Sequence, residues 1–269
     1  MKKIILLLVI LGIAAAAVGN IFGGAARLFA QGNTLKGSGN IVTETRPAPR
    51  NIHTIESSRG VQVLITATAG DELLVEADDN LIDRVVTKIK NGELQVTIDP
   101  TITRLNNLHV TVTVPCNGPF HTLHASSGSK IRNEGVLETD RLEARTSSGG
   151  SLNLDARVKE DCEIKAASGS RIEAEITATE ASVSLSAGSH ISLKGSATKC
   201  SAETSAGSSL SASKFEVADF QMKASSGSSA RIHCTGQLQA HASSGASIRY
   251  SGDCTVDITR SSGGNVSRK

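Results

Sequence analysis

The sequence predicts an all-β protein: a parallel β-helix-like solenoid of about 8 coils of 18–21 residues, preceded by a non-repetitive β cap. Three observations carry this. A Ser-Ser-Gly phrase recurs along the second half, with its glycines at Gly128, Gly149, Gly169, Gly188, Gly207, Gly227, Gly245 and Gly263. Apolar residues keep step with it. Leu123, Ala144, Ile164, Val183, Ala202, Met222, Ala240 and Ile258 stand five before each glycine, and Ile131, Leu152, Ile172, Ile191, Leu210, Ala230, Ile248 and Val266 three after. Between them polar and apolar residues alternate, as in Glu163-Ile164-Lys165-Ala166, the period-two pattern of a strand. One such coil cannot bury its apolar face alone, whereas a stack of coils can.

Residues 1–30 read as a targeting segment. Lys2 and Lys3 precede an apolar run from Ile4 to Gly19, the order of an export signal, and Ala15 and Ala17 suit cleavage after Ala17. The rival reading is an uncleaved membrane anchor, since Ile4 to Phe22 meets the roughly 17–25 residues a span needs. No cysteine near the end of this run marks a lipoprotein. Either reading places the folded part outside the cytoplasm, in the periplasm or at the cell surface. Residues 31–40, with Gly37-Ser38-Gly39-Asn40, read as a flexible linker.

Residues 41–118 form the expected cap. Val61 to Thr66 and Glu72 to Glu76 read as strands around the turn at Ala69-Gly70-Asp71. Asn91-Gly92 between Lys88-Ile89-Lys90 and Glu93 to Ile98 is a strong hairpin signal. His109 to Val114 alternates cleanly and stops at Pro115, while Asp79-Asn80 are expected to cap a short helix through Leu81 to Val85.

Residues 119–269 are the solenoid. Each of its glycines supplies the positive φ of a sharp corner, and the Ser or Ala residues before it are small enough for coils stacked roughly 4.8 Å apart. The serine row is structural, because a nucleophilic serine needs a positioned base and oxyanion donors.

Gly37-Ser38-Gly39-Asn40-Ile41, the strand Gly60 to Thr66, the Asp78-Asp79-Asn80-Leu81 segment and the serial Ser-Ser-Gly coils together resemble the bacterial head GIN domain family. That family is described as autotransporter adhesin heads and as a domain of unknown function. The resemblance covers residues 37–269 and implies a right-handed β-helix-like solenoid in an envelope or surface protein, with no catalytic residues to carry over. One departure is that no translocator barrel follows the last coil at Lys269.

Composition narrows the function. Aromatic residues make up 2% of the chain and tryptophan is absent, so flat platforms for sugars or bases are scarce. The net charge is +2, of which Lys2, Lys3 and Arg27 supply three positives, leaving −1 for the rest and no basic footprint for nucleic acid. The acids Asp140, Glu143, Glu160, Asp161, Glu163, Glu173, Glu175, Glu180 and Glu203 are scattered along outward strand positions among Arg141, Arg145, Lys165, Arg171 and Lys199. This reads as a mixed solvated face rather than a catalytic carboxylate pair. Glu76, Asp78, Asp79, Asn80 and Asp83 lack calcium-loop spacing, and a helix cap explains them more simply. The seven histidines show no metal spacing. His124 and His241, four before their glycines, join Arg145, Lys165 and Lys223 in a modestly basic row interrupted by Ser184, Glu203 and Thr259.

Five cysteines in an exported chain raise the question of disulfides. Cys162 and Cys200 sit two coils apart around Ala181, too far to bridge. Cys234 and Cys254 lie in neighbouring coils with matching parity, which allows them to stack or to form a disulfide. Cys116 has no evident partner. The expectation is therefore an exported, non-enzymatic binding or scaffold module with no cofactor and no metal site. Its ligand is an unidentified surface or envelope polysaccharide or protein, it meets a membrane only through the N-terminal segment, and it is a monomer or weak dimer. Arg268 and Lys269 blunt the last edge. The rivals are a carbohydrate-active enzyme on the same fold and a self-associating envelope protein.

Overall fold

A computed structural model describes residues 33–48 and 50–269, and the targeting segment 1–30 lies outside the described residues. The chain divides into two units. In one, the strand Asn33–Lys36 runs parallel to Ile102–Asn106, with Leu35 against Leu105. Four residues of the expected 31–40 linker are thus a strand, and the Gly-Ser-Gly cue for a linker covers only Gly37 to Asn40.

The other unit, Gly37–Asp99 with Leu108–Lys269, holds the solenoid. Its parallel registers stack the predicted apolar positions into two continuous columns. One runs Leu94, Ile55, Leu123, Ala144, Ile164, Val183, Ala202, Met222, Ala240 and Ile258. The second runs Val112, Val63, Ile131, Leu152, Ile172, Ile191, Leu210, Ala230, Ile248 and Val266. All but Ile258 are buried, and each Leu or Ile among them contributes on the order of 1.5–3 kcal/mol relative to exposure.

Both columns begin inside the region expected to be non-repetitive, which corrects the boundary at residue 119. Ser57-Ser58-Arg59-Gly60 is a further corner, with Arg59 at φ 61° and Gly60 at φ 79°. The strands beside it, Thr54–Ser57 and Gln62–Ile65, pair in parallel with Thr122–Ala125 and Lys130–Asn133. On their other side lie Glu93–Ile98 and Val110–Val114. Chain order and stacking order therefore differ: the coil at 54–65 sits between residues that come later in the chain. Antiparallel strands close this end. Ile41–Pro47 pairs with Glu72–Asp78, which pairs with Val110–Val114. Val85–Lys90 pairs with Glu93–Ile98 through the predicted Asn91-Gly92 hairpin.

At the eight repeat corners the glycines take φ between 67° and 76°, as expected. The residue before each is also left-handed, from 46° at Ser262 to 54° at Ser168. Two successive positive φ values make a type I′ turn, closed for example by Ser129 N–H donating to Ser126 O at 3.0 Å. Gly128 N–H then donates to Ser148 O and Gly149 N–H to Ser168 O, both at 3.1 Å, and this corner-to-corner ladder continues to Gly245 and Ser262. The residue after the glycine points inward. Ser129, Ser189, Ser208 and Ser228 are buried there and donate to carbonyls of the preceding coil at 2.7–3.3 Å.

Candidate functional site

The outward face of the strand before each corner carries a long concave surface. A groove of about 710 Å³ runs beside the position four before each glycine. His124, Arg145 and Lys165 line one end, Ser184 the middle, and Glu203, Lys223 and His241 the other. The row that the sequence singled out as modestly basic is thus brought together, coil by coil, as the wall of one groove. Its bases are not bare. Arg145 and Lys165 pair with Glu143 and Glu163 one row across, Lys223 lies 3.2 Å from Glu203, and His124 lies 3.8 Å from Glu56.

A second groove of about 700 Å³ runs along the same outward face, two residues earlier on each strand. Ser182, Ser201, Gln221 and Gln239 form a neutral hydroxyl and amide ladder there, with Glu180, Lys199 and Asp219 at its margin. Sequence reasoning missed this ladder. Aligning the coils on their glycines places all four residues at one position, six before the corner.

Most of the scattered acids pair with bases; Glu143 and Glu163, stacked in register, share Lys165, and Glu173 and Glu175 line a cavity of about 310 Å³ with Asp155 and Lys194. Arg141 lies 2.9 Å from Glu160, Lys159 2.9 Å from Asp140, Arg171 3.7 Å from Glu173 and Lys199 3.5 Å from Glu180. Lys159 holds the Asp140 carboxyl below its ordinary range, and Lys165 does the same for Glu163. Such groups stay ionised, the opposite of what a general acid needs near neutral pH.

The Asp78-Asp79-Asn80 cluster is not a helix cap, which corrects that expectation. The helix is a single 3₁₀ turn, Ile82–Arg84, and Leu81 at its N-cap makes no side-chain capping bond. The three side chains instead clasp the Gly37 to Asn40 segment. Gly39 N–H donates to Asp78 Oδ1 at 2.7 Å, Ser38 Oγ to Asp79 Oδ1 at 2.6 Å, Asn40 Nδ2 to Asp79 Oδ2 at 2.9 Å and Ser38 N–H to Asn80 Oδ1 at 3.2 Å. His109 N–H completes Asp78 at 2.8 Å. Burial pushes the Asp78 carboxyl up, but these backbone donors and the His109 imidazole outweigh it and hold the group low. The oxygens that a calcium ion would need are already engaged. No group of three or more His, Cys, Asp or Glu side chains among the described residues is placed to hold a metal.

The cysteines are free thiols. Cys162, Ala181 and Cys200 stack in register as expected. Cys234 and Cys254 are unbridged in this structure; the registers His233 to Ser251 and Gln237 to Thr255 set their backbones two positions out of step, yet the two thiols remain close enough to interact. The Cys234 sulfur also lies 3.2 Å from Gln237 O and 3.4 Å from Ala218 O, either of which its one proton can reach.

Comparison with known proteins decides the family. The family model described as "Putative auto-transporter adhesin, head GIN domain" matches residues 51–161 and 155–254. The chain belongs to the head GIN domain family. No curated protein matches it. Among solved structures, the chain is similar to a "putative adhesin" of Parabacteroides merdae ATCC 43184, at TM-score 0.81 and 18% identity over 88% of this chain and 99% of that one. A "putative adhesin" of Parabacteroides distasonis ATCC 8503 matches at TM-score 0.81 and 16% identity, covering 88% of this chain and 100% of that one. A "Putative lipid binding protein" from the same P. distasonis strain matches at TM-score 0.79 and 18% identity, with the same coverage. At these identities the likeness speaks to the fold alone, and the head GIN domain here is a β-solenoid. Among the described residues no helix is long and apolar enough to cross a membrane.

Proposed function

We propose that this head GIN protein is an exported, non-enzymatic binding module of the adhesin type, which holds an extended surface or envelope polymer along the groove before its corners. One observation carries the reading: seven successive coils contribute the same position to a single groove. A ligand lying along the axis meets a new set of side chains at every coil step of roughly 4.8 Å, so weak contacts sum without any deep pocket. Ion-paired acids and the adhesin description of the family favour binding over catalysis. Export rests on the charged-then-apolar order of residues 1–30.

Protease shaving of intact cells carrying a C-terminally tagged copy tests the location, with a periplasmic marker as control. Loss of the tag while the marker survives supports outward display. A tag that survives until the outer membrane is opened removes the adhesin reading and leaves an envelope scaffold. For the groove, Ser184→Trp fills its middle, and binding of the tagged protein to extracted surface polymers is expected to fall with it. Unchanged binding would show that the groove is not the contact. Polysaccharide cleavage abolished by Glu173→Gln or Glu175→Gln would restore the enzyme alternative.

A further inference from the structure

Bases on the solenoid generally have an acid beside them: Arg141, Arg157, Lys159, Lys165, Lys199 and Lys223 all pair across coils. Arg231 and Arg249 break this pattern. They occupy the strand after the corner, away from the groove row, each four residues beyond its glycine, and face one another directly in the parallel register. Both are exposed, and among the described residues neither guanidinium makes an ion pair or hydrogen bond. Their neighbours in the row are Ser211 and Ser267, and the outward residues beside them on their own strands are Ser229, His233, Ser247 and Ser251. The nearest acids are Glu216, opposite His233, and Asp253, which lies 3.7 Å from Arg268, and neither pairs with the two arginines. Like charges placed opposite on neighbouring strands repel; Lys194 and Lys214 also face one another without an ion pair among the described residues, but only the arginine pair adjoins a cavity with a third cationic residue.

A cavity of about 110 Å³ opens at this pair, lined by Ser213, Arg231, Ile232, Arg249, Tyr250, Ser251 and Lys269. Three cationic residues and Ser213 border this space, while the Ser251 hydroxyl already donates to Ile232 O at 3.3 Å. His190, two coils before Arg231, is held below its ordinary pKa first by burial and then by Arg171, with Glu173 opposing and Arg231 adding a smaller push. Guanidinium forks match the oxygens of a tetrahedral oxyanion and are weakly hydrated, which makes paired arginines better suited to it than lysines.

We propose that this pocket binds a phosphate monoester, with Arg231 and Arg249 sharing its oxygens across two coils and Lys269 closing the charge. Bound anion would relieve the repulsion that the register otherwise imposes. The inference is independent of the groove reading, since it concerns different residues on the other strand of the coil.

Two probes separate a soluble ester from a lipid headgroup: inorganic phosphate by calorimetry, and flotation with phosphatidylcholine vesicles with or without phosphatidic acid, all at constant ionic strength because exposed charges are screened by salt. The unaltered protein is compared with Arg231→Gln, Arg249→Gln and the control Arg171→Gln, whose arginine already has Glu173. Saturable binding in either arm that falls at least about tenfold in both pocket variants and not in the control supports the site, as expected when a charge-assisted bond is lost. Phosphate binding without vesicle association assigns a soluble ester, and association that needs phosphatidic acid assigns a headgroup. Absence of saturable binding in both arms overturns the proposal, as does binding that survives Arg249→Gln or falls equally in Arg171→Gln. These substitutions are on the surface, and unchanged circular dichroism spectra separate lost binding from lost fold.

Discussion

Asp78 is the residue on which the capped end turns. Its side chain is fully buried, yet it keeps its charge because two backbone N–H groups and the His109 ring face it. Both Asp78 and Asp79 have carboxyls held below the unfolded value, the first against the cost of burial, the second by the Asn40 and Ser38 side chains. A depressed folded pKa contributes stability that is present above the unfolded value of about 3.9 and is lost as pH falls through the folded value. Urea midpoints should therefore drop between about pH 5 and pH 3, and Asp78→Ala should remove part of that slope while costing about 2–3 kcal/mol at pH 7. An unaltered slope in the variant would mean that other carboxylates carry the acid sensitivity. The thiols offer a second check at this scale. Burial pushes Cys162 and Cys200 up to about 12, and burial with the neighbouring Cys254 takes Cys234 to about 11. Native-state iodoacetamide labelling read by mass spectrometry should mark the half-buried Cys116 and Cys254 and spare the other three. Rapid labelling of Cys162 or Cys200 would contradict their placement in the stacked core. The clasp itself was not legible, because its partners are 39 to 42 residues apart and each half, read locally, mimics something commoner: a Gly-Ser linker and a helix cap.

At the scale of the corner, two kinds of glycine must be told apart. A Cβ on Gly188 would meet nothing within 4 Å, so only its φ of 70° resists substitution. Gly150, one residue past its corner, has an ordinary φ, but a Cβ there would lie 2.2 Å from the Ala125 carbonyl oxygen. Gly188→Ala should therefore cost about 1–2 kcal/mol, the left-handed penalty alone. Gly150→Ala should cost about 3 kcal/mol, because backbone of the neighbouring coil must move. Denaturant melts that ranked the two in reverse order would show that the corner, not the close approach, sets coil spacing. The eight corner glycines were legible because their neighbours repeat in composition as well as in spacing. Gly60 was not, since Arg59 interrupts the phrase, although Ile55 five before it and Val63 three after it obey the same rule. The left-handed residue before each glycine was also hidden: Ser and Ala at that position signal small size, whereas Asn would have signalled the turn type.

For the solenoid unit as a whole, stability should behave as a sum over coils and their contacts with nearest neighbours. The two apolar columns continue through every coil without a break in parity, so one complete period can be removed without turning any core residue outward. Deleting residues 189–207 joins Gly188 to Ser208 and puts Leu210 where Ile191 stood, three after a corner glycine. The shortened chain should keep its β circular dichroism spectrum and unfold with a smaller denaturant slope, in proportion to the surface that one coil no longer buries. The groove would lose Glu203 and one coil step of roughly 4.8 Å while keeping Lys165, Ser184 and Lys223 in line. Deleting about ten residues instead, half a period, would set strands that precede the corner against strands beyond it, and that chain should fail to fold. If both deletions unfold the protein alike, the coils do not act as interchangeable units. The permuted coil at 54–65, held from both sides by later strands, would then be the element that makes the assembly all-or-none.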